Sequence, residues 1–223
     1  MTPYDALSRL LADRWTCRQF LPDAVPESEI ERLLAIAQRT PSWCNTQPWQ
    51  VEVTTGEGTG RFREALAAHV MSQPQTPDFA FPAAYTGDYR DRRRECGFQL
   101  YDSVGISKGD STRRLEQMLR NFDLFDAPHV AILTTEDDLG VYGAIDCGLW
   151  TSTFLLGAQS LGLAAAPQAA LAGYSAFLHE HFDIPAHRKV VVGISFGYAD
   201  LDHPVNAFRT SRVAVDEVVR WHS

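Results

Sequence analysis

A short basic stretch near the start of the chain carries residue types suited to binding an anion. Arg14, Thr16 and Arg18 alternate along the segment RWTCRQF, and alternate residues of an extended segment project to the same side. Arginine presents a planar fork of donors that matches phosphate oxygens. The triplet therefore indicates a phosphate site, with a surface patch paired to some of the chain's 28 acidic residues as the alternative.

A second basic pair lies near the other end of the chain. Arg209 and Arg212 follow Asn206 and Phe208. An isolated surface salt bridge is the default explanation for such a pair. In a chain with a net charge of -8, however, the clustering slightly favours a local anionic partner.

The stretch Arg39–Val53, RTPSWCNTQPWQVEV, combines large aromatic residues with amides. A buried polar group without a partner costs about 1–3 kcal/mol. We therefore expect Ser42, Asn45 and Gln47 to face either their own backbone or a polar ligand. A rigid, capped entry to a strand at Gln50–Thr55 is the alternative interpretation.

The segment Ala164–Ala170, AAAPQAA, consists of small residues around one proline and one glutamine. We predict a bend between two helices that exposes the backbone amides of Gln168 and Ala169. Small side chains would let a flat ligand lie against these amides. A turn that only links the helices is the alternative.

Several functional classes lack their sequence signals. The chain has no GxGxxG after a strand, no GxxxxGKS/T, no HExxH and no GxSxG, so dinucleotide-fold, P-loop, zincin and serine-hydrolase patterns are absent. The histidines are mostly isolated, which argues against a metal site. The four cysteines are scattered, which supports neither a zinc knuckle nor a disulfide framework. We expect reduced thiols and no metal.

Composition describes an ordinary globular chain of 223 residues, 45% hydrophobic and 22% charged. A net charge of -8 and a pI near 5.3 argue against broad nucleic-acid binding. No uninterrupted apolar run approaches the roughly 20 residues of a membrane span. Acidic residues interrupt the first apolar stretch, unlike a secretory signal. We therefore expect a single-domain cytoplasmic protein.

The candidate residues must be positioned by helices and strands that alternate along the chain. Apolar periodicity predicts helices at Pro3–Asp13, between Pro26 or Ser28 and Pro41, and at Arg61–Val70, Arg90–Tyr101, Lys108–Phe122, Tyr142–Leu161 and Ala176–His181. It predicts strands at Trp49–Thr55, Ala127–Thr135 and Lys189–Tyr198. The segment Ser72–Asp91 is predicted to be irregular and exposed. Strands so far apart, with helices between them, indicate a sheet flanked by helices.

Six motifs occur in an order that resembles the FMN-dependent nitroreductase family. They are RWTCRQF, PSWCNTQPWQVEV, NFDLFDAP, GLAAAPQAAL, VVVGISFGYAD and NAFRTSR. Among them PSxxNxQPW is the most specific, and the nitrobenzoate and nitroarene reductases are the most similar subgroup. The resemblance implies an α+β fold with a mixed, mainly antiparallel central sheet flanked by helices. It also implies an intertwined homodimer that exchanges C-terminal arms.

The resemblance implies a role for each candidate segment. Arg14, Thr16 and Arg18 would hold the FMN phosphate and ribityl chain, and two further arginines would close on the same phosphate. The backbone at Gln168 and Ala169 would donate an N–H toward flavin N5. The segment beginning at Pro41 would come from the second subunit. The full set of implied cofactor-binding residues is Arg14, Trp15, Thr16, Arg18, Pro41, Ser42, Trp43, Asn45, Gln47, Asn121, Pro167, Gln168, Ala169, Arg209 and Arg212.

The implied reaction is a ping-pong reduction of nitroaromatics or quinone-like acceptors by NADPH or NADH. No catalytic side chain is required, because the flavin carries the chemistry. An insert at about 72–107 would cover the active site, with Phe79, Phe81, Tyr85 and Tyr89 as substrate-stacking residues. The alternatives are another flavoenzyme reaction on the same fold, such as dehalogenation, enone reduction or flavin-destructive cofactor synthesis, or a non-catalytic flavin-binding redox sensor.

Overall fold

The first two helices of the computed structural model, which describes residues 1–222, form where the sequence predicts them. Helix α1 spans Pro3–Asp13 and begins with a capping box between Thr2 and Asp5. Helix α2 spans Glu27–Ala37, directly after Pro26. Ser28 therefore lies inside the helix instead of capping it. Because Pro26 has no N–H and a restricted φ, it opens the helix without a side-chain cap.

Four strands form one sheet in the order β1-β2-β4-β3. They are β1 (Gln50–Thr54), β2 (His129–Glu136), β3 (Ala164–Gln168) and β4 (Arg188–Gly197). All three pairings between these strands are antiparallel. An isolated parallel bridge between Thr16 and Ala165 adds the mixed character that was predicted.

The prediction of a bend at Ala164–Ala170 is wrong, because this segment forms strand β3 and then enters a helix. The strand is at the edge of the sheet and pairs only with β4 among the four strands. Pro167 is tolerated at this position because proline cannot donate to a ladder and is therefore confined to edge strands and bulges. The sequence pattern missed this strand because its alanine side chains do not give the alternation of large apolar and polar residues by which a strand is predicted.

Four of the remaining helices form close to their predicted positions. They are α4 (Gly87–Ser103), α5 (Ser111–Leu119), α6 (Gly140–Ser160) and α8 (Ser175–Phe182). Helix α3 (Glu57–Ser72) begins earlier than predicted, and the short helices α7 (Ala169–Ala172) and α9 (Val215–Val218) were not predicted.

Gly56, Gly58 and Gly60 precede the predicted helix at Arg61–Val70 and by composition indicate a turn. Only Gly56 forms it, with φ of 54°. Gly58 and Gly60 lie within α3, because one residue with positive φ is enough to turn the chain.

Alternate residues of the central strands supply two apolar clusters on opposite faces of the sheet. Val130 and Ile132 of β2 pack with α3, α7 and α8. Ala131 and Leu133 of the same strand pack with α2 and α6. Side chains of successive strand residues point to opposite faces, so a strand buried on both sides is apolar throughout. This arrangement confirms the predicted sheet between layers of helices.

In the sequence, Gly148 and Gly157 indicate sites of close approach along the predicted helix Tyr142–Leu161. In the structure, α6 packs closely at Gly157 and at Gly143. Gly157 lies against Leu33 and Ile36 of α2, since an added Cβ would sit 3.0 Å from the Leu33 side chain. An added Cβ at Gly143 would clash with Thr135 of β2. Nothing lies within 4 Å of a Cβ built at Gly148. The predicted role of Gly148 in this packing is therefore wrong for the single chain.

Helix α6 also presents an apolar face to solvent. Val141, Tyr142, Ile145 and Leu149 recur about one turn apart and are 65%, 52%, 51% and 45% exposed. The segment Asp137–Ser160 is long and apolar enough to cross a membrane by length and composition alone, but its other face packs in the core. An exposed apolar stripe on a helix that is otherwise part of a core is typical of a protein interface.

Candidate functional site

The basic triplet runs alongside the edge strand β3. Thr16 forms a bridge with Ala165, and the Cys17 N–H donates to the Ala165 carbonyl at 3.2 Å. Cys17 is completely buried, so its neighbours Thr16 and Arg18 project to the opposite side of the extended segment. The structure thus places the triplet as the alternation predicts.

Both basic pairs meet in one cavity of about 390 Å³ beside β3. The cavity therefore brings together residues that are almost 200 positions apart in sequence. Its lining consists of Leu11, Ala12, Arg14, Trp15, Thr16, Arg18, Cys96, Phe208, Arg209, Thr210 and Arg212.

The cavity is strongly cationic. Across residues 1–222, none of the arginines at positions 14, 18, 209 and 212 forms a salt bridge with a carboxylate. Burial lowers the pKa of Arg14, and the nearby charge of Arg212 lowers it further. Burial likewise lowers the pKa of Arg18. Such charges are costly unless an anion neutralises them, so the cavity is suited to a phosphate rather than to a surface ion pair.

Two aromatic rings hold the guanidinium groups in place. The Arg209 guanidinium carbon lies 4.3 Å from the centre of the Trp15 ring, and that of Arg18 lies 5.2 Å from the Phe208 ring. Stacking of this kind orients a cation without neutralising it. Trp15, which the family resemblance includes among the cofactor-binding residues, lines the cavity and supports Arg209.

Asn206 organises the cavity in a way that the sequence did not reveal. Its buried side chain accepts the Arg18 N–H at 2.8 Å and donates to the carbonyls of Gln19 and Asp200 at 2.8 and 2.7 Å. Its own carbonyl accepts from Arg209 at 2.7 Å. One residue thus joins the first basic segment to the last.

The residues around the end of β3 lie at the same sheet edge. The buried Gln168 side chain donates to the Asn121 carbonyl at 2.8 Å and accepts from the Ser195 hydroxyl. Ala169 is the first residue of α7, and N–H groups of a first helical turn have no acceptor within the helix. The structure therefore places Asn121, Gln168 and a potential N–H donor together, with Pro167 just before them.

The segment Pro41–Gln47 lies elsewhere. It leads into β1, which is the opposite edge strand of the sheet from β3. Three strand spacings, about 14 Å, separate the two edges. A single chain therefore does not bring Pro41, Ser42, Trp43, Asn45 and Gln47 to the arginine cavity.

This second segment is strained and held at several points. Cys44, Asn45 and Gln47 have positive φ angles of 50°, 55° and 48°, a conformation that costs about 1–3 kcal/mol per residue. The Ser42 hydroxyl accepts the Gln47 N–H at 2.9 Å. The buried Arg188 guanidinium donates to the Pro48 carbonyl at 2.8 Å. The expected backbone partner of Ser42 is thus present.

Residues 73–86 form no regular structure, but their first part is anchored. The Asp78 carboxylate accepts the Val190 N–H at 2.8 Å and lies 2.9 Å from the His179 ring. The adjacent Phe79 is only partly exposed and lies beside Lys189, whose Nζ is 5.7 Å from the ring centre. The prediction of an irregular, exposed segment at Ser72–Asp91 is therefore confirmed for residues 73–86 only, since Ser72 ends α3 and residues 87–91 begin α4. Around Asp78 the segment is fixed to the core and only partly exposed.

The other three aromatic candidates remain accessible. Phe81 and Tyr85 are exposed, and Tyr85 packs 5.2 Å beneath the Arg93 guanidinium of α4. Tyr89 lies on α4 and is also exposed. None of them lines the arginine cavity.

Cysteine and metal chemistry have little support in the described part of the chain. Burial raises the pKa of Cys17 and of Cys147 to about 12, so neither thiol is activated as a nucleophile. Residues 1–222 contain no group of three or more His, Cys, Asp or Glu side chains that could hold a metal ion.

Comparison with known proteins shows similarity along most of the chain. A sequence profile of the nitroreductase family matches residues 11–198. Nitroreductase NfnB of Mycolicibacterium smegmatis is 33% identical over 217 residues, which cover 97% of this chain and 92% of that protein. A 4-nitrobenzoate reductase of Pseudomonas putida is 33% identical over 213 residues, with 93% and 92% covered. The crystal structure of the FMN-dependent nitroreductase NfnB from Mycobacterium smegmatis in complex with NADPH has a TM-score of 0.95, 32% identity and full coverage of both chains.

Proposed function

The chain belongs to the nitroreductase family, and on that premise we propose that it is an FMN-dependent oxidoreductase that uses NAD(P)H to reduce nitroaromatic or quinone-like compounds. The observation that carries this function is the arginine cavity beside β3. Four arginines that have no carboxylate partner within residues 1–222 converge there, in a chain whose net charge is -8. A phosphate of nearly two negative charges would offset about half of their combined positive charge.

FMN fits the residues at this sheet edge. Arg14, Thr16 and Arg18 would hold the phosphate and ribityl chain, and Arg209 and Arg212 would complete the phosphate site. The backbone at Gln168 and Ala169 would face the flavin ring near N5. Asn121 would meet the pyrimidine edge of the flavin. The Asn121 carbonyl accepts a hydrogen bond from the Gln168 side chain, which holds Asn121 beside the end of β3.

The site is completed by a second copy of the chain. The strained segment Pro41–Gln47 lies at the wrong edge of the sheet to reach the cavity of its own chain. The exposed apolar stripe of α6 supplies a surface on which two copies can pack. The segment around α9 also exposes Val215, Val218 and Trp221, which suits an arm that wraps the partner. We therefore assign the protein as a homodimer with two shared flavin sites.

Bound FMN supplies the redox chemistry by taking a hydride from NAD(P)H and passing it to the acceptor, so no side chain needs to act as nucleophile, acid or base. The protein's residues would bind and orient the cofactor and the reactants, and they would exclude water. The arginines would hold the phosphate, and the first turn of α7 would offer a backbone N–H to the ring. Residues 72–107 would cover the ring, with Phe79, Phe81, Tyr85 and Tyr89 stacking on aromatic acceptors. Nicotinamide and acceptor would occupy the same space in turn, which gives ping-pong kinetics. We place this reaction in a single-domain, cytoplasmic protein.

The test is to purify the protein and follow NADPH and NADH oxidation with a panel of nitroarenes and quinones. We expect yellow protein, bound FMN and parallel lines in double-reciprocal plots. A colourless protein that does not take up added FMN contradicts the proposal. Rapid, saturable bleaching of the flavin by either nicotinamide also excludes a redox sensor with negligible turnover.

A further inference from the structure

Helix α6 contains a buried carboxylate that the reaction does not use. Asp146 is only 5% exposed, although it lies on a helix whose neighbouring positions are apolar. It takes part in no salt bridge within residues 1–222. An ionised group in such a place is costly unless its oxygens accept hydrogen bonds, so the identity of its partner is informative.

That partner is the strained segment before β1. Both Asp146 oxygens face the Trp43 backbone N–H, at 3.3 and 3.2 Å. One turn earlier in α6, Tyr142 packs edge-on against the Trp43 indole, with ring centres 4.1 Å apart. Helix α6 thus holds Trp43 through one polar and one aromatic contact.

The position of Trp43 matters because the residues after it are strained. Cys44, Asn45 and Gln47 all occupy the left-handed region, which persists only where surrounding contacts fix the backbone. On the C-terminal side, Arg188 holds the Pro48 carbonyl. On the N-terminal side, Asp146 is the side chain that holds the backbone. Without it, the backbone at Trp43 loses its polar contact with α6, and the aromatic contact with Tyr142 remains.

We propose that Asp146 is a positioning residue that acts across the subunit interface on the FMN site of the partner. This inference rests on the proposed function, in which the segment Pro41–Gln47 lines the flavin of the second copy. Asp146 does not touch the flavin. It holds Trp43, and thereby Ser42 and Asn45, in the geometry that the partner's cofactor requires.

The first experiment compares Asp146→Ala with Asp146→Asn. The alanine variant loses the acceptor, and we expect its Kd for FMN to rise about 10-fold or more, the size of a lost charge-assisted hydrogen bond. The asparagine variant keeps one acceptor oxygen, so its Kd should stay within about 3-fold of the wild type. FMN fluorescence quenching gives both constants, and light scattering checks that each variant stays dimeric.

Asp23→Ala is the matched control. Asp23 is an exposed carboxylate before α2, and its removal should leave FMN affinity unchanged. If the asparagine variant loses affinity as severely as the alanine variant, the charge matters rather than the hydrogen bond to Trp43. That result would overturn the positioning role.

A subunit-mixing experiment tests the action in trans. Chains that carry Arg14→Ala and chains that carry Asp146→Ala are given different tags, co-expressed and purified as heterodimers. In such a dimer one site combines both defects, and the other combines intact arginines with an intact segment. We expect one FMN per heterodimer bound with wild-type affinity, although each homodimer binds weakly.

The alternative outcomes separate the two proposals. If Asp146 acts within its own subunit, both sites of the heterodimer carry a defect and neither regains wild-type affinity. If Arg14→Ala loses FMN but Asp146→Ala does not, the role of Asp146 is overturned and the arginine site stands. If neither homodimer loses FMN, both the flavin site and the role of Asp146 are wrong.

Discussion

Single residues in this structure carry charge states that depend on burial. His129 is the first residue of β2, and its side chain is buried. Its Nε2 accepts the Val25 N–H at 2.9 Å. Its Nδ1 faces the Thr54 carbonyl at 3.3 Å and must carry the hydrogen. Both ring nitrogens are thus satisfied in the neutral form. Burial lowers the pKa of His129, with a smaller opposing effect from the Thr54 bond.

This lowered pKa predicts a loss of stability in acid. The unfolded chain binds the proton first, so the contribution of neutral His129 is complete above the ordinary histidine pKa of about 6.5 and falls as the pH drops below it. The slope is at most about 1.4 kcal/mol per pH unit. Urea unfolding at pH 7.5, 6.5 and 5.5 should show a shallower decline for His129→Gln than for the wild type. His222→Gln, at an exposed position, should decline as the wild type does; equal declines for all three proteins would contradict the assignment.

Elements in this fold are positioned by close approach as much as by apolar pattern. Helix α6 approaches β2 at Gly143, where any side chain meets Thr135. The buried Thr135 hydroxyl has no hydrogen-bond partner within residues 1–222. The contact therefore leaves little freedom for the two elements to adjust.

Gly143→Ala is expected to destabilise the protein although alanine favours helices. Overpacking of a tight contact costs about 1–3 kcal/mol, which exceeds the gain of about 0.5–1 kcal/mol in helix propensity. Gly60→Ala in α3 is the matched control, since nothing lies within 4 Å of the added Cβ. Urea unfolding should place Gly143→Ala below the wild type and Gly60→Ala slightly above it. A stabilised Gly143→Ala would show that α6 can move away from β2 at little cost.

The whole molecule separates the two halves of its proposed flavin site. The arginine cavity borders β3, and the strained segment leads into β1, at opposite edges of a four-stranded sheet. Strands β2 and β4 stand between the two edges within one chain. In the proposed homodimer, packing through the exposed stripe of α6 would bring each edge near the other copy's opposite edge.

Ile145→Asp is expected to disrupt assembly and cofactor binding together. It places a charge in the centre of the exposed apolar stripe, and an unpaired charge in an interface is strongly unfavourable. Light scattering should show monomers, and FMN affinity should fall at least 10-fold while the circular dichroism spectrum is retained. Met71→Asp, at an exposed apolar residue of α3, should stay dimeric. A monomeric Ile145→Asp that still binds FMN tightly would mean that one chain suffices.

The sequence by itself determined most elements and the chemistry of the candidate site. Apolar periodicity located the large helices and three strands, because each must bury one face against the sheet. Strand β3 was not predicted from the sequence, since its alanines show no amphipathic alternation. It is a strand because it pairs with β4. Local geometry alone also predicted that Arg14, Thr16 and Arg18 project to the same side of their segment.

Only the tertiary structure decided which residues meet. The distant pairs Arg14–Arg18 and Arg209–Arg212 share a cavity, where Asn206 links the Arg18 backbone N–H to the Arg209 guanidinium. Such a long-range contact leaves no trace in local pattern. The same holds for Asp146, which in sequence is one acid within an apolar helix. Its meaning depends on a hydrogen bond to a segment 103 residues away. Sheet order, set by packing of the whole chain, places the two halves of the proposed flavin site at opposite edges.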